Sequence, residues 1–212
     1  METDQDVRIR ELEAALARQD ALLREVDHRV KNNLQLISSL MLLQSRRIED
    51  EAARQALKTM LERVNAVASV HRRLLHGDDS HNFEVADFIR DLAGDLALAA
   101  GRDDVRITLD LSPVAIPASM AAPFALVLNE LLGNALKHAF PGEGGQIDIR
   151  LAKADGGCVL TVSDNGCGMG DRQQAFGLTI VGLLCRQLRS ELEILPDAPG
   201  VRATVRTPLR SV

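Results

Sequence analysis

Residues 118–140, ASMAAPFALVLNELLGNALKHAF, decide how this chain is read. At roughly 100° per residue on a helix, Glu130, Asn134, Lys137 and His138 share one arc, and Ala125, Leu128, Leu132, Ala135, Leu136 and Ala139 share the other. The apolar arc can pack on a sheet. The polar arc is then expected to face outward, with a carboxylate, an amide and a cation in register. Solvated helix faces often look like this. Asn134 argues for more, because an amide in mid-helix is mildly unfavourable unless it has a partner.

Downstream, Gln146–Ala152 and Cys158–Ser163 alternate as strands across Asp155-Gly156-Gly157. Asp164-Asn165-Gly166-Cys167-Gly168-Met169 follows directly. A carboxylate at a strand end can accept a hydrogen bond from an exocyclic amine. Glycines beside it let backbone approach a flat ring or a phosphate. A polar loop runs to Ala175, and Gly177 opens a helix that runs to Leu188. The free N–H groups and positive dipole end of a helix N-terminus suit phosphate. Glu191–Leu195 and Val201–Thr207 close as a hairpin across Pro196–Gly200. Upstream, Asn82–Val85 reads as a short strand, Ala86–Ala100 as a helix and Val105–Leu111 as a strand. The expected architecture is one layer of mostly antiparallel strands with helices on one face.

Residues 1–76 contain neither Gly nor Pro, so they read as helical. Ile9, Leu12, Leu16, Gln19, Leu23, Val26, Val30, Asn33, Ile37 and Leu40 recur at alternating intervals of three and four, the seam of a coiled coil or bundle. Charge clusters from Arg46 to Glu51. A second stripe then runs through Ala56, Met60, Val64, Val67, Val70/His71 and Leu74. The spacing predicts a hairpin with helices over about 5–46 and 51–76. One hairpin cannot easily bury such a stripe, but two hairpins from two chains can, as a four-helix bundle. Gly77-Asp78-Asp79-Ser80 is the linker, dividing a module at 1–78 from a domain at 79–212.

Composition narrows the function. Aromatic residues make up 2% of the chain, so the core rests on Leu, Val, Ile and Ala, and base stacking on aromatic rings is disfavoured. A net charge of −5 disfavours a nucleic-acid partner. Cys158, Cys167 and Cys185 lack metal-ligand spacing and read as reduced thiols. Apolar runs fall short of the roughly 18–20 residues a membrane span needs. The first six residues are polar and acidic, unlike a signal peptide. A cytoplasmic protein with no membrane contact is expected.

In this order, Asn129-Glu130-x-x-x-Asn134-x-x-Lys137-His138, two strands, Asp164-x-Gly166-x-Gly168, a polar loop and a helix-opening glycine resemble a known ATPase module. It is the GHKL type, shared by gyrases, Hsp90 chaperones, MutL-type repair proteins and sensor histidine kinases. The resemblance implies an α/β-sandwich domain that binds ATP with Mg²⁺. It implies that Asn134 holds the metal between phosphates and that Asp164 binds the adenine amine. Gly166, Gly168, Gly177 and Leu178 would surround the nucleotide. His138 would touch a phosphate or the lid, Met169–Phe176.

Residues 22–33, LLREVDHRVKNN, resemble the phosphoacceptor segment of the histidine kinases marked by His-Arg-x-x-Asn, relatives of the HWE kinases. The resemblance extends from Leu22 to Pro208. It implies autophosphorylation of His28 and transfer to an aspartate of a response-regulator receiver domain. The residues agree with it. His28 lies at the heptad position farthest from Leu23, Val26 and Val30, and an imidazole of pKa ~6.5 is mostly neutral, hence nucleophilic, at pH 7. Arg24, Arg29 and Lys31 can balance phosphate charge. Asn32, at i+4, shares the face and can orient water or phosphate. Glu130, one turn before Asn134, can reach the attacking group, and Lys137 can balance the γ-phosphate. His28 and the ATP site belong to different modules, so the domain must swing on Gly77–Ser80. His71, His76 and His81 read as ordinary residues.

Two departures stand out. Typical members carry a glycine pair after the helix that Gly177 opens, where this chain has Arg189-Ser190, and the lid is short. Besides the kinase, two other functions stay open. One is an ATP-independent phosphotransferase or adaptor that keeps the dimeric bundle and His28. The other is a regulator phosphatase in which Asn32 places water.

Overall fold

The computed structural model describes residues 4–76, 81–142, 144–169 and 176–209. The linker Gly77–Ser80 and all of the expected lid except Met169 and Phe176 lie outside the described residues. Backbone contacts divide the chain into two units, Met1–His76 and Gly77–Val212.

The first unit is a hairpin of α1 (Asp4–Ser45) and α2 (Glu51–His76). Asp50 caps α2, its Oδ1 accepting the Ala53 N–H at 2.7 Å. At about 1.5 Å per residue, α1 is roughly 63 Å long and α2 roughly 39 Å, so part of α1 outruns its partner. Val30, Leu34, Ser38, Met41 and Ser45 are half-buried where α1 packs on α2. Ser38 Oγ donates to Asn65 Oδ1 across the pair at 3.1 Å. Much of the sequence seam is not on this contact. Ile37 and Leu40 stay exposed, as do Ile9, Leu12, Leu16 and Val26. The hairpin uses the row beside the seam, because Leu34 and Met41 lie one position on from Asn33 and Leu40.

The second unit runs β1 (Asn82–Glu84), α3 (Val85–Ala100), β2 (Val105–Leu111), β3 (Ala115–Pro117), α4 (Ala118–His138), β4 (Gly145–Ala154), β5 (Gly157–Asp164), α5 (Phe176–Gln187), β6 (Glu191–Asp197) and β7 (Gly200–Pro208). Five strands form one sheet in the order β2-β4-β5-β7-β6. From β4 onward every pairing is antiparallel, with Ile149 opposite Val162 and Val162 opposite Ala203. The β2–β4 pairing is the parallel exception in the mostly antiparallel layer. The cause is connectivity: α4 lies between the two strands in sequence, and a helical crossover returns the chain in the same direction. The three-residue strand β3 pairs with β1 and is too short to alternate legibly.

One sheet face is buried: Ile147, Ile149 and Leu151 on β4, Cys158, Leu160 and Val162 on β5, Ala203 and Val205 on β7. Phe88, Ile89, Phe124, Leu128 and Leu132 of α3 and α4 are buried with them. Burial pushes the Cys158 thiol up to about 11, against a weaker opposing bond to Thr207. On the opposite face Asp148, Arg150, Arg202 and Arg206 are exposed. Among the described residues, only α4 is long and apolar enough to cross a membrane, and 67% of its apolar window is buried inside the protein. It is the core helix.

Candidate functional site

Helix α4, the end of β5, the start of α5 and the β6–β7 hairpin enclose a cleft of about 550 Å³, open solvent at its mouth included. Asn134, His138, Asp164 and Leu178 line it, as the sequence anticipates. Leu131, Ala135, Val162, Met169, Ile194, Val201 and Ala203 complete it and make its floor apolar. Apart from Met169, the first residue of the expected lid, these are not marked as site residues by the sequence. They are ordinary core types, and only the sheet order places β6 and β7 beside α4.

The Asp164 loop is built to tight tolerances. Asp164 Oδ1 accepts the Gly166 N–H at 3.0 Å. The Cys167 N–H donates to Ala139 O at 2.9 Å, tying the loop to the end of α4. A β-carbon at Gly166 would lie 2.2 Å from that same Ala139 oxygen, so no side chain fits there. Gly168 has φ +79°, in the left-handed region that glycine enters at no steric cost. Gly200 also shapes the site and was missed: its β-carbon would fall 1.7 Å from Asp164 O and 2.8 Å from Asp164 Oδ1. The available signal is the Pro199-Gly200 pair, which by itself marks only a turn.

At the other end of the cleft α5 begins beside α4. A β-carbon at Gly177 would sit 3.0 Å from Glu130 Oε2 and 3.3 Å from both ends of the Asn134 amide. Glu130 is 5% exposed, so the expectation that the whole polar arc faces outward fails for it. The glycine that opens α5 lets a second helix close over that arc. Lys137 is exposed and does not line the cleft, although His138 beside it does. Asn134 Nδ2 is buried with no hydrogen-bond partner among the described residues. A buried amide end without a partner is costly, and this one is carried by a residue of the cleft lining.

The residues suit a nucleotide with Mg²⁺. Among the described residues no group of three His, Cys, Asp or Glu side chains could hold a metal. Mg²⁺ commonly takes most of its ligands from water and phosphate oxygens, and Asn134 offers one amide oxygen beside the cleft. The orphaned amide and the bare Gly177 backbone leave polar groups for a ligand at that end.

Arg189 and Ser190 lie elsewhere. They terminate α5 at the end away from Gly177. The Ser190 N–H donates to Cys185 O at 2.8 Å and the Arg189 N–H to Arg186 O at 3.1 Å, the paired bonds of a Schellman cap. Arg189 has φ 53°, a conformation that favours glycine. Neither residue lines the cleft.

In the first unit His28 and Asn32 are both exposed on α1. Arg29 is ion-paired with Glu25 at 2.8 Å, both side chains exposed. Lys31 is half-buried, and the side chain of Arg24 lies outside the described residues.

Comparison with known proteins matches residues 25–100 to a family described as histidine kinase. Residues 121–211 match the family of histidine kinase-, DNA gyrase B-, and HSP90-like ATPases. The sensor histidine kinase PdtaS of Mycolicibacterium smegmatis is 32% identical, over 95% of this chain and 42% of that protein. Blue-light-activated histidine kinase 2 of Erythrobacter litoralis is 27% identical, over 90% of this chain and 58% of that protein. The chain thus spans about two-fifths of the first relative and under two-thirds of the second. Among solved structures, the histidine kinase domain of an Erythrobacter litoralis blue-light activated histidine kinase superposes with a TM-score of 0.66, at 25% identity, covering 91% of this chain and 93% of that one.

Proposed function

From a chain that belongs to the histidine kinases in both of its units, we propose an ATP-dependent kinase that phosphorylates its own His28 and passes the phosphoryl group to an aspartate of a response regulator. The observation that carries this reading is the cleft that Asn134, with its unmatched amide end, and Asp164 line together with an apolar floor. Asp164 accepts the adenine amine, and Leu131, Val162 and Ile194 hold the ring away from water. Asn134, the backbone at Gly177 and Leu178, and His138 face the phosphates. Mg²⁺, when bound at Asn134, neutralises charge on the phosphate oxygens.

The reaction is then largely one of positioning and charge. An imidazole nitrogen of His28 forms a bond to the γ-phosphorus while the bond to the ADP oxygen breaks. ADP leaves, and the imidazole proton passes to Glu130, directly or through water. Lys137, exposed at the end of α4, balances charge from the rim. In the regulator step the P–N bond breaks as the aspartate oxygen takes the phosphoryl group. Asn32, one turn after His28, orients the incoming phosphate. The chain acts as a homodimer through residues 1–76, because the apolar seam of α1 is otherwise uncovered. Its place of action is the cytoplasm.

The protein is incubated with γ-labelled ATP and Mg²⁺. The expected product is acid-labile, base-stable phosphoprotein, absent in His28→Ala, while a fluorescent ATP analogue binds both proteins equally. Labelling of His28→Ala at the parent rate would overturn the assignment.

A further inference from the structure

Asn129 has no role in the scheme above, yet it is an amide buried in the middle of α4, 3% exposed. Its Nδ2 lies 3.4 Å from Glu130 Oε1, and its Oδ1 is buried with no hydrogen-bond partner among the described residues. The amide orientation follows from chemistry. An ionised carboxylate only accepts hydrogen bonds, so the end of Asn129 that meets Glu130 must be the NH₂. The orphaned end is then the carbonyl. A buried amide kept for stability has both ends matched. This one has a single partner among the described residues, a carboxylate that is itself 5% exposed. The other oxygen of that carboxylate, Oε2, lies beside Gly177, 3.0 Å from where a β-carbon there would stand. Asn129 is thus hydrogen-bonded to one oxygen of Glu130, and the other oxygen lies beside the start of α5.

We propose that Asn129 is a positioning residue for Glu130: it sets the carboxylate that takes the proton from the attacking imidazole, and it is retained for that despite a cost in stability. The proposal rests on the kinase reading, and it separates two properties that a purely structural asparagine would join. Leucine shares the branched outline of asparagine, though it is larger, and leaves no polar atom unmatched, so Asn129→Leu removes the orphan carbonyl along with the donor.

The test uses the whole chain. Asn129→Leu is expected to unfold at the parent temperature or above and to bind a fluorescent ATP analogue within about twofold of the parent. At saturating ATP its autophosphorylation rate falls at least about tenfold, with little change in KM. In a Glu130→Gln background the same substitution adds little further loss, because residues acting through one another are not additive. Asn129→Gln, which keeps the NH₂ donor, recovers part of the rate. Asn129→Ala repeats the test if leucine does not fit. Should the parent incorporate no phosphate on His28, the kinase reading itself fails. If the parent labels but Asn129→Leu is as fast, or if its loss is as large in Glu130→Gln as in the parent, the positioning role is overturned. A lowered unfolding temperature in both Asn129→Leu and Asn129→Ala, at an unchanged rate, overturns it in favour of a structural asparagine.

Discussion

The two units solve the problem of apolar surface in opposite ways. In the α/β unit the apolar residues converge, and Phe88, Phe124, Leu128, Leu132, Ile147, Ile149, Leu151 and Leu160 are all below 2% exposure. Among the described residues, large exposed apolar side chains there are scattered singly: Leu98, Leu109, Leu183 and Leu195. In the hairpin, Ile9, Leu12, Leu16, Leu22, Val26, Leu36, Ile37, Leu40, Leu42, Leu43 and Met60 are exposed, nearly all on one helix. Single exposed leucines need no explanation, but a continuous stripe marks a surface that meets a partner. A sheet with helices on one face encloses a core within one chain, whereas a two-helix hairpin has one contact row and two apolar rows.

The largest effect expected from this contrast is in the hairpin. Ile37→Glu with Leu40→Glu places two charges on the uncovered seam. Each apolar side chain buried there is worth about 1.5–3 kcal/mol, so the double variant is expected to be a monomer by light scattering at micromolar concentration. The parent is expected to be a dimer, and the unfolding transition of the α/β unit should not move. A parent already monomeric would break the comparison, because the stripe would then need some other cover.

A smaller effect is expected in the cleft. Asp164→Ala removes a charge-assisted contact of about 1.5–3 kcal/mol, roughly ten- to a hundred-fold in affinity. Titration with a fluorescent ATP analogue should show that loss while the dimer mass stays the same. A fall in dimer mass in this variant would mean that the two units are not independent.

The smallest expected effect is a gain. Arg189→Gly relieves a left-handed residue at the end of α5, which should stabilise the α/β unit by about 1 kcal/mol. In a thermal melt only that unit's transition should rise. An unchanged or lower midpoint would show that the arginine side chain contributes more than its backbone strain costs. By sequence order Arg189-Ser190 stands where typical members carry a glycine pair. In the fold it is a helix cap at the far end of α5 from Gly177.

The periodic elements were legible from residue order. Helices α1 and α2 fall within a residue or so of the expected bounds, because the Gly- and Pro-free stretch of 1–76 and its stripes report directly on local backbone preference. The strands β2, β4, β5, β6 and β7 were legible for the same reason, since alternation is a local signal. Asn134, Asp164 and Gly177 were legible because an amide in a helix, a carboxylate at a strand end and a glycine at a helix start each violate or mark a local rule. Contacts between distant segments were not legible. That Glu130 is buried depends on α5 lying over α4, and that Gly200 shapes the Asp164 loop depends on β7 pairing with β5. Asn129 looks like any polar helix residue until burial sets it apart from exposed Lys137 and His138. Local propensity acts over one turn or one strand and is written in adjacent residues. Burial and close approach arise when segments far apart in the chain pack together, and only the folded chain decides which side chains meet there.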